Sequence, residues 1–189
     1  MKAIKITLVS LLMAGGLILN TFNANAQDME KDLTRQERKF MRKSQLEANF
    51  NLLDSLFKSN KFVLVADFLQ TKWGDRISVI PTINFIKVDG ETGVLQTGAN
   101  SGMGYNGVGG VTAEGSIGKM QITKNFKNLS YTLRFSLSTQ IGHYDVVMSV
   151  SAGNYATATI SGTTSDRLTW IGHLENVDFS KVYKGRNSI

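Results

Sequence analysis

The feature that most constrains the fold is the alternation of apolar and polar residues that begins at Lys61. In the segment 129–138 every second side chain is apolar, and the side chains between them are polar. The segment 144–150 is similar, and segment 62–68 places apolar residues at every second position with Val63, Val65 and Asp67 between them. A β-strand has a side-chain period of two, so such segments bury one face and expose the other, as is typical of antiparallel sheets. The chain after Lys61 is therefore predicted to be antiparallel sheet.

Short clusters of Asn, Asp and Gly separate the alternating segments. These residues tolerate the positive φ angles that tight turns require. The clusters are 73–75, 89–93, 125–128, 152–154 and 163–166. Their spacing predicts about eight or nine strands in residues 61–189, arranged as an antiparallel barrel or sandwich. No long helical pattern follows Lys61, which disfavours a fold of alternating strands and helices.

Residues 27–60 are predicted to form one charged, amphipathic helix that packs on the sheet. Thr34 and Glu37 have the spacing of a capping box, in which each residue hydrogen-bonds the backbone N–H of the other. An apolar stripe recurs at helical spacing after residue 45. It consists of Leu46, Phe50, Leu53 and Phe57, widened by Leu52 and Leu56. We expect the stripe to dock on its own domain, with binding to a partner protein as the alternative.

The first 26 residues are typical of a cleaved signal peptide. Lys2 and Lys5 precede an apolar run from Ile6 to Leu19, and Ala24-Asn-Ala26 supplies small residues for cleavage. The run of fourteen residues is shorter than the roughly 20 that span a bilayer. The sequence thus predicts a periplasmic or secreted protein that begins at Gln27 and has no transmembrane segment after cleavage.

Composition excludes several classes of function. The sequence contains no cysteine, which rules out disulfide scaffolds, thiol catalysis and zinc sites built on thiolates. Without Lys2 and Lys5 the net charge falls from +6 to +4, since 19 basic residues face 15 acidic ones. Such a balance does not provide the basic stripe that tracks phosphates, so nucleic acid is not an expected partner.

The segment 98–110 holds six of the eighteen glycines and includes a G-x-G-x-x-G match at 102–107. A dinucleotide-binding turn needs a helix after the glycines, whereas residues 111–117 resemble a strand, so no cofactor is predicted. The glycines are predicted to serve backbone geometry. The alternative is a ligand-facing loop. Its contacts would come from Asn100, Ser101, Tyr105 and Asn106.

Two histidines share a short repeat, Thr-x-Ile-Gly-His, at 139–143 and 169–173. If His143 and His173 occupied corresponding points of neighbouring strands, Asp145 could complete a site of two histidines and one carboxylate for a metal. A chance repeat with ordinary surface histidines is the favoured interpretation, and no metal, cofactor or catalytic residue is predicted.

Several strings, in order, resemble a known family. They are Asn84-Phe-Ile-Lys-Val-Asp-Gly90, Val94-Leu-Gln-Thr-Gly98, Asn106-Gly-Val-Gly-Gly-Val-Thr112, Tyr144-Asp-Val-Val147, Ala156-Thr-Ala-Thr-Ile160 and Val182-Tyr-Lys-Gly-Arg186. From about Leu46 to the C-terminus the chain resembles the exported Bacteroidota family catalogued as domain of unknown function 4251. The resemblance implies a location in the bacterial envelope and implies no reaction or catalytic residue.

Three functional hypotheses follow. The first is a non-enzymatic periplasmic protein that binds a small apolar or lipid-like ligand inside the barrel or sandwich. The second is an envelope module that binds another protein through its helix or an edge strand. The third is a metal-dependent hydrolase that uses His143, Asp145 and His173.

Overall fold

The computed structural model describes residues 34–99, 106–162 and 167–188. The predicted signal peptide, residues 1–26, lies outside the described residues. One α-helix, α1 (Arg35–Ser59), precedes the strands of a single antiparallel sheet. The strands are β1 (Lys61–Thr71), β2 (Arg76–Ser78), β3 (Phe85–Asp89), β4 (Thr92–Gln96), β5 (Thr112–Ile117), β6 (Gln121–Asn125), β7 (Ser130–Thr139), β8 (Gly142–Ser151), β9 (Ala156–Ser161) and β10 (Arg167–Asn176).

The sheet closes into an eight-stranded barrel. The order around it is β10-β9-β8-β7-β5-β4-β3-β1, and β1 pairs in turn with β10, from Phe62 opposite Asn176 to Thr71 opposite Leu168. Strands β2 and β6 lie outside this circuit and pair with β1 and β7 respectively. The prediction of a mainly β fold with one preceding helix is confirmed, and the barrel rather than the sandwich is the observed form.

Alternation along the strands fills the barrel interior. In β7 the inward side chains from Tyr131 to Leu137 are buried, whereas Arg134 on the outer face is exposed. Alanines at 66, 156 and 158 face the same core and leave room for larger neighbours. Burial of one face therefore fixes the register of an alternating strand such as β7, because a shift of one residue would place polar side chains in the core.

The predicted capping box is present at the start of α1. The Glu37 N–H donates to the Thr34 hydroxyl (3.3 Å), and the Thr34 N–H donates to the Glu37 carboxylate (2.7 Å). The bond from the Thr34 N–H, followed by a second bond from the Thr34 hydroxyl to the same carboxylate (2.9 Å), lowers the pKa of Glu37. The chain divides into two units at Ser44, within this helix. Among the described residues, no helix has both the length and the apolar content needed to cross a bilayer.

The second half of α1 covers one end of the barrel. Phe50, Leu53 and Phe57 are buried in the barrel core. The Phe57 ring packs edge-on against Phe62 (5.4 Å between centroids) and Tyr131 (5.0 Å). The predicted apolar stripe is therefore the docking face. It is narrower than its sequence indicates, because Leu52 is 68% exposed.

A charged cluster borders this contact. Asp54 accepts from Lys124 of β6 and from Lys58 (2.8 Å), and these hydrogen bonds lower the pKa of Asp54 to about 2. The buried Tyr131 hydroxyl donates to the Phe50 carbonyl (3.1 Å). Burial, followed by the nearby Asp54 charge, raises the pKa of Tyr131 to about 12. The helix is thus joined to β6 and β7 by polar as well as apolar contacts.

Candidate functional site

A cavity of about 460 Å³ opens at the end of the barrel where β1 and β9 finish and β10 begins; we call it the mouth cavity. Phe57 of α1 instead contacts Phe62, near the beginning of β1. The two features lie at opposite ends of β1, roughly 30 Å apart along that strand. The mouth cavity is lined by Thr71, Lys72, Trp73, Leu95, Thr97, Val111, Ala113, Tyr144, Ile160, Gly162, Arg167, Leu168 and Trp170.

Inward positions of several strands form the apolar part of the mouth cavity. Leu95, Ala113 and Ile160 belong to the barrel core and also contribute to the lining. Tyr144 and Trp170 add aromatic surface. Apolar walls with few polar groups are the usual composition of a site for a small organic ligand.

Both tryptophans of the chain line the mouth cavity. The Trp170 indole is buried, and its N–H donates to the Gln96 carbonyl (3.3 Å), which fixes the ring. Trp73, in the turn after β1, is 77% exposed, and the Lys72 ammonium lies 4.7 Å from its ring centroid. One aromatic wall of the cavity, Trp170, is therefore fixed by a hydrogen bond, whereas the other, Trp73, is exposed to solvent.

The wall behind Trp170 is braced by a buried polar side chain. The Gln96 amide donates to the carbonyls of Ile83 (3.1 Å) and Tyr183 (2.9 Å). Its oxygen accepts from the Thr112 hydroxyl (2.9 Å) and the Gly185 N–H (2.8 Å). Gln96 is fully buried, so these four bonds satisfy a group that would otherwise be costly to bury. They join β4 to β5 and to the C-terminal segment.

Asn106 has a similar structural role in the glycine-rich segment. Its side chain is 1% exposed and donates to the Thr97 carbonyl (3.2 Å) and the Thr112 hydroxyl (3.1 Å). Its oxygen accepts from the N–H groups of Val108 (3.1 Å) and Gly110 (3.0 Å). All four bonds join the side chain to other residues of this chain, and they organise the described part of the segment.

Two glycines of this segment have positive φ angles, as predicted for glycines that serve backbone geometry. Gly107 and Gly109 have φ angles of +74° and +79°, a region that other residues rarely adopt. Both follow Asn106, in the turn that its side chain caps. The described part of the segment agrees with a role in backbone geometry.

The remaining loop candidates, Asn100, Ser101 and Tyr105, lie outside the described residues, so their contact with a ligand stays a prediction. The described residues on either side of the glycine-rich segment, Thr97 and Val111, both line the mouth cavity.

The structure does not bring the histidine candidates together. β9 separates β8 from β10, so the two repeats are not on neighbouring strands. Asp145 is level with Arg167 across β9, since both pair with Ser161. His173 lies six residues further along β10, which is roughly 20 Å. The proposed metal site of His143, Asp145 and His173 is therefore wrong in its geometry.

Each histidine has local partners instead. His143 Nδ1 lies 2.9 Å from the Ser138 hydroxyl, directly across from it on β7. His173 lies 3.6 Å from Asp67 and 3.4 Å from Glu175. Within residues 34–99, 106–162 and 167–188, no group of three or more histidine, aspartate or glutamate residues is placed to hold a metal ion.

Sequence reasoning missed Lys72, Arg167 and Gln96 as residues of the site or its support. Lys72 and Arg167 stand in turn-rich sequence where charge is ordinary, and Gln96 follows the apolar pair Val94-Leu95 in β4. The sequence around each of these three residues gives no indication of its role. Only closure of β1 on β10 places the two cations at one opening.

The described residues after Ser44 therefore form a closed eight-stranded antiparallel barrel with the second half of α1 at one end and a largely apolar cavity at the other. Residues 44–174 match the family described as a domain of unknown function (DUF4251). The chain belongs to this family, as its sequence resemblance predicted.

A solved structure shares the fold. It is the crystal structure of a DUF4251 family protein from Bacteroides eggerthii, 26% identical to this chain, with a TM-score of 0.59. The similarity covers 70% of this chain and 91% of that protein. No curated protein matches the chain.

Proposed function

We propose that the protein is a non-enzymatic binding protein for a small apolar or lipid-like ligand, held in the mouth cavity. The observation that carries this proposal is the cavity itself, with about 460 Å³ of space between aromatic and aliphatic walls. This volume lies within the range of about 300–1,000 Å³ that is common for ligand sites. Small barrels often hold one ligand at this position.

The chemistry of the walls supports binding without catalysis. Among the described residues, the lining includes no histidine, carboxylate or serine. General acid–base and nucleophilic catalysis mostly use such groups. Tyr144, Thr71 and Thr97 supply hydroxyls, Lys72 and Arg167 supply charge, and the other lining residues are mostly apolar. The lining therefore offers shape and apolar contact.

Filling the cavity tests the proposal. Ala113 is buried at the cavity wall, and the Ala113→Leu substitution extends a larger side chain into the open space. The neutral fluorophore N-phenyl-1-naphthylamine is expected to bind the wild-type protein with enhanced emission. We expect the substitution to weaken this binding about tenfold or more, because the leucine side chain takes up space that the fluorophore would occupy. Fluorescence titration measures both affinities.

Ala48→Leu is the matched control, since Ala48 is an exposed residue of α1 outside the cavity lining and the substitution adds the same atoms. Its affinity for the fluorophore should equal that of the wild type. Unchanged binding by a folded Ala113→Leu variant, or no binding by the wild type, would contradict the proposal. Circular dichroism establishes that both variants are folded.

We also propose that the protein works in the periplasm or outside the cell, after cleavage behind Ala26. The three-part N-terminal sequence supports this location. Intact-mass analysis of protein from the periplasmic fraction of a Gram-negative host should find a chain that begins at Gln27. Full-length protein confined to the cytoplasm would contradict the assignment.

A further inference from the structure

We infer that the ligand of the mouth cavity is a single-chain amphiphile with an anionic head, whose charge is bound by Lys72 and Arg167 while its apolar chain enters the barrel. This inference rests on the proposed binding function and specifies its ligand class. It is carried by the position of two cations on one side of an apolar opening.

The register of β1 and β10 places these cations side by side. Thr71, the last residue of β1, pairs with Leu168. Lys72 follows Thr71, and Arg167 precedes Leu168, so each lies one position further toward the opening. Both residues belong to the cavity lining. Barrel closure thus builds a paired cationic rim from residues that are 95 positions apart in the chain.

The two basic residues of the described lining favour an anion. The described lining contains Lys72 and Arg167 and no aspartate or glutamate. Asp75, in the turn after β1, lies 3.4 Å from the Thr71 hydroxyl. Asp166 precedes Arg167 in the sequence and lies outside the described residues. An arginine guanidinium presents paired N–H donors that match a carboxylate or phosphate, and apolar walls strengthen such contacts by excluding water.

Polarity is graded from the rim to the interior. Trp73, exposed and in contact with the Lys72 ammonium, combines an apolar ring with a polar N–H at the opening. Deeper lining residues, Leu95 and Ile160, belong to the barrel core. A ligand with one charged end and one apolar end matches this gradient in a single orientation. Its chain would also cover the exposed Trp73 ring.

Displacement of bound N-phenyl-1-naphthylamine tests the head-group preference. The competitors are dodecanoate, dodecyl phosphate, 1-dodecanol and dodecyltrimethylammonium, each used below its micelle concentration. We expect the two anions to displace the fluorophore at about tenfold lower concentration than the neutral or cationic compound, with a preference that weakens in high salt. The order of the two anions distinguishes a carboxylate ligand from a phosphate ligand.

The double variant Lys72→Gln/Arg167→Gln should reduce this preference to within about twofold while retaining the fluorophore. The control is Lys119→Gln/Arg134→Gln, which removes the same charge from exposed positions outside the lining and should keep the preference. Equal displacement by all four compounds, or an unchanged preference in the Lys72/Arg167 variant, would overturn the head-group assignment. Fluorophore binding that is sensitive to Ala113→Leu would leave the binding function standing in that case.

Discussion

The Gln96→Leu variant is expected to lose about 4 kcal/mol of unfolding free energy, since each unsatisfied buried polar group costs about 1–3 kcal/mol. Leucine has a similar size but forms none of the four hydrogen bonds of this amide. The substitution leaves the Ile83 and Tyr183 carbonyls without their donor. It also leaves the Thr112 hydroxyl and the Gly185 N–H without their acceptor. Few single substitutions in the barrel leave as many groups unpaired.

Urea denaturation followed by circular dichroism measures this loss. Gln121→Leu is the control, because Gln121 is an exposed residue of β6, and its substitution should change stability by less than about 0.5 kcal/mol. A loss below about 1 kcal/mol for Gln96→Leu would show that the four bonds contribute little. The Trp170 indole donates to the backbone carbonyl of residue 96, so its fluorescence emission gives a second signal close to the mutated position.

The features that local sequence determines could be predicted before the structure was known. The Thr34–Glu37 capping box forms with its expected bonds, because both partners lie within one helical turn. The alternation in β7 also predicts its buried face, because the side-chain period of a strand is a local property. The helix, the antiparallel sheet and the approximate strand number follow from such patterns.

The cavity and its support could not be predicted in this way. They depend on the pairing of β1 with β10 and on contacts between Gln96 and Tyr183, 87 positions later in the chain. A polar residue in a strand is usually on the wet face, so the burial of Gln96 leaves no mark in the alternation. Trp73 belongs to a turn sequence, and only the folded barrel places it in the same cavity lining as Trp170.

The repeated string Thr-x-Ile-Gly-His shows the same limit. Its first copy passes through the turn into β8, and its second lies within β10. Gly172 of the second copy is opposite Ala66, and a Cβ atom there would collide with the Val65 carbonyl. Gly142, in the first copy, starts β8. Identical local sequence therefore serves two different environments, and the histidines that follow are far apart.

The Phe57→Ala variant is expected to lose about 4 kcal/mol, the usual range for a buried phenylalanine being 3–5 kcal/mol. Phe57 is 1% exposed and fills the end of the barrel between Phe62 and Tyr131. Alanine removes the whole ring and both edge-on contacts. Chemical denaturation should show the loss as a lower midpoint. A change below about 1.5 kcal/mol would mean that the helix contributes little to the stability of the barrel.

Leu52→Ala provides the matched control, since Leu52 lies on the same helix and is largely exposed. Its effect should stay within about 0.5 kcal/mol. Under conditions where Phe57→Ala remains folded, its affinity for N-phenyl-1-naphthylamine should match that of the wild type. The reason is the separation between Phe57, at the start of β1, and the mouth cavity at its end. Loss of both stability and binding would instead mean that the helix and the mouth of the barrel are coupled through the core that they share.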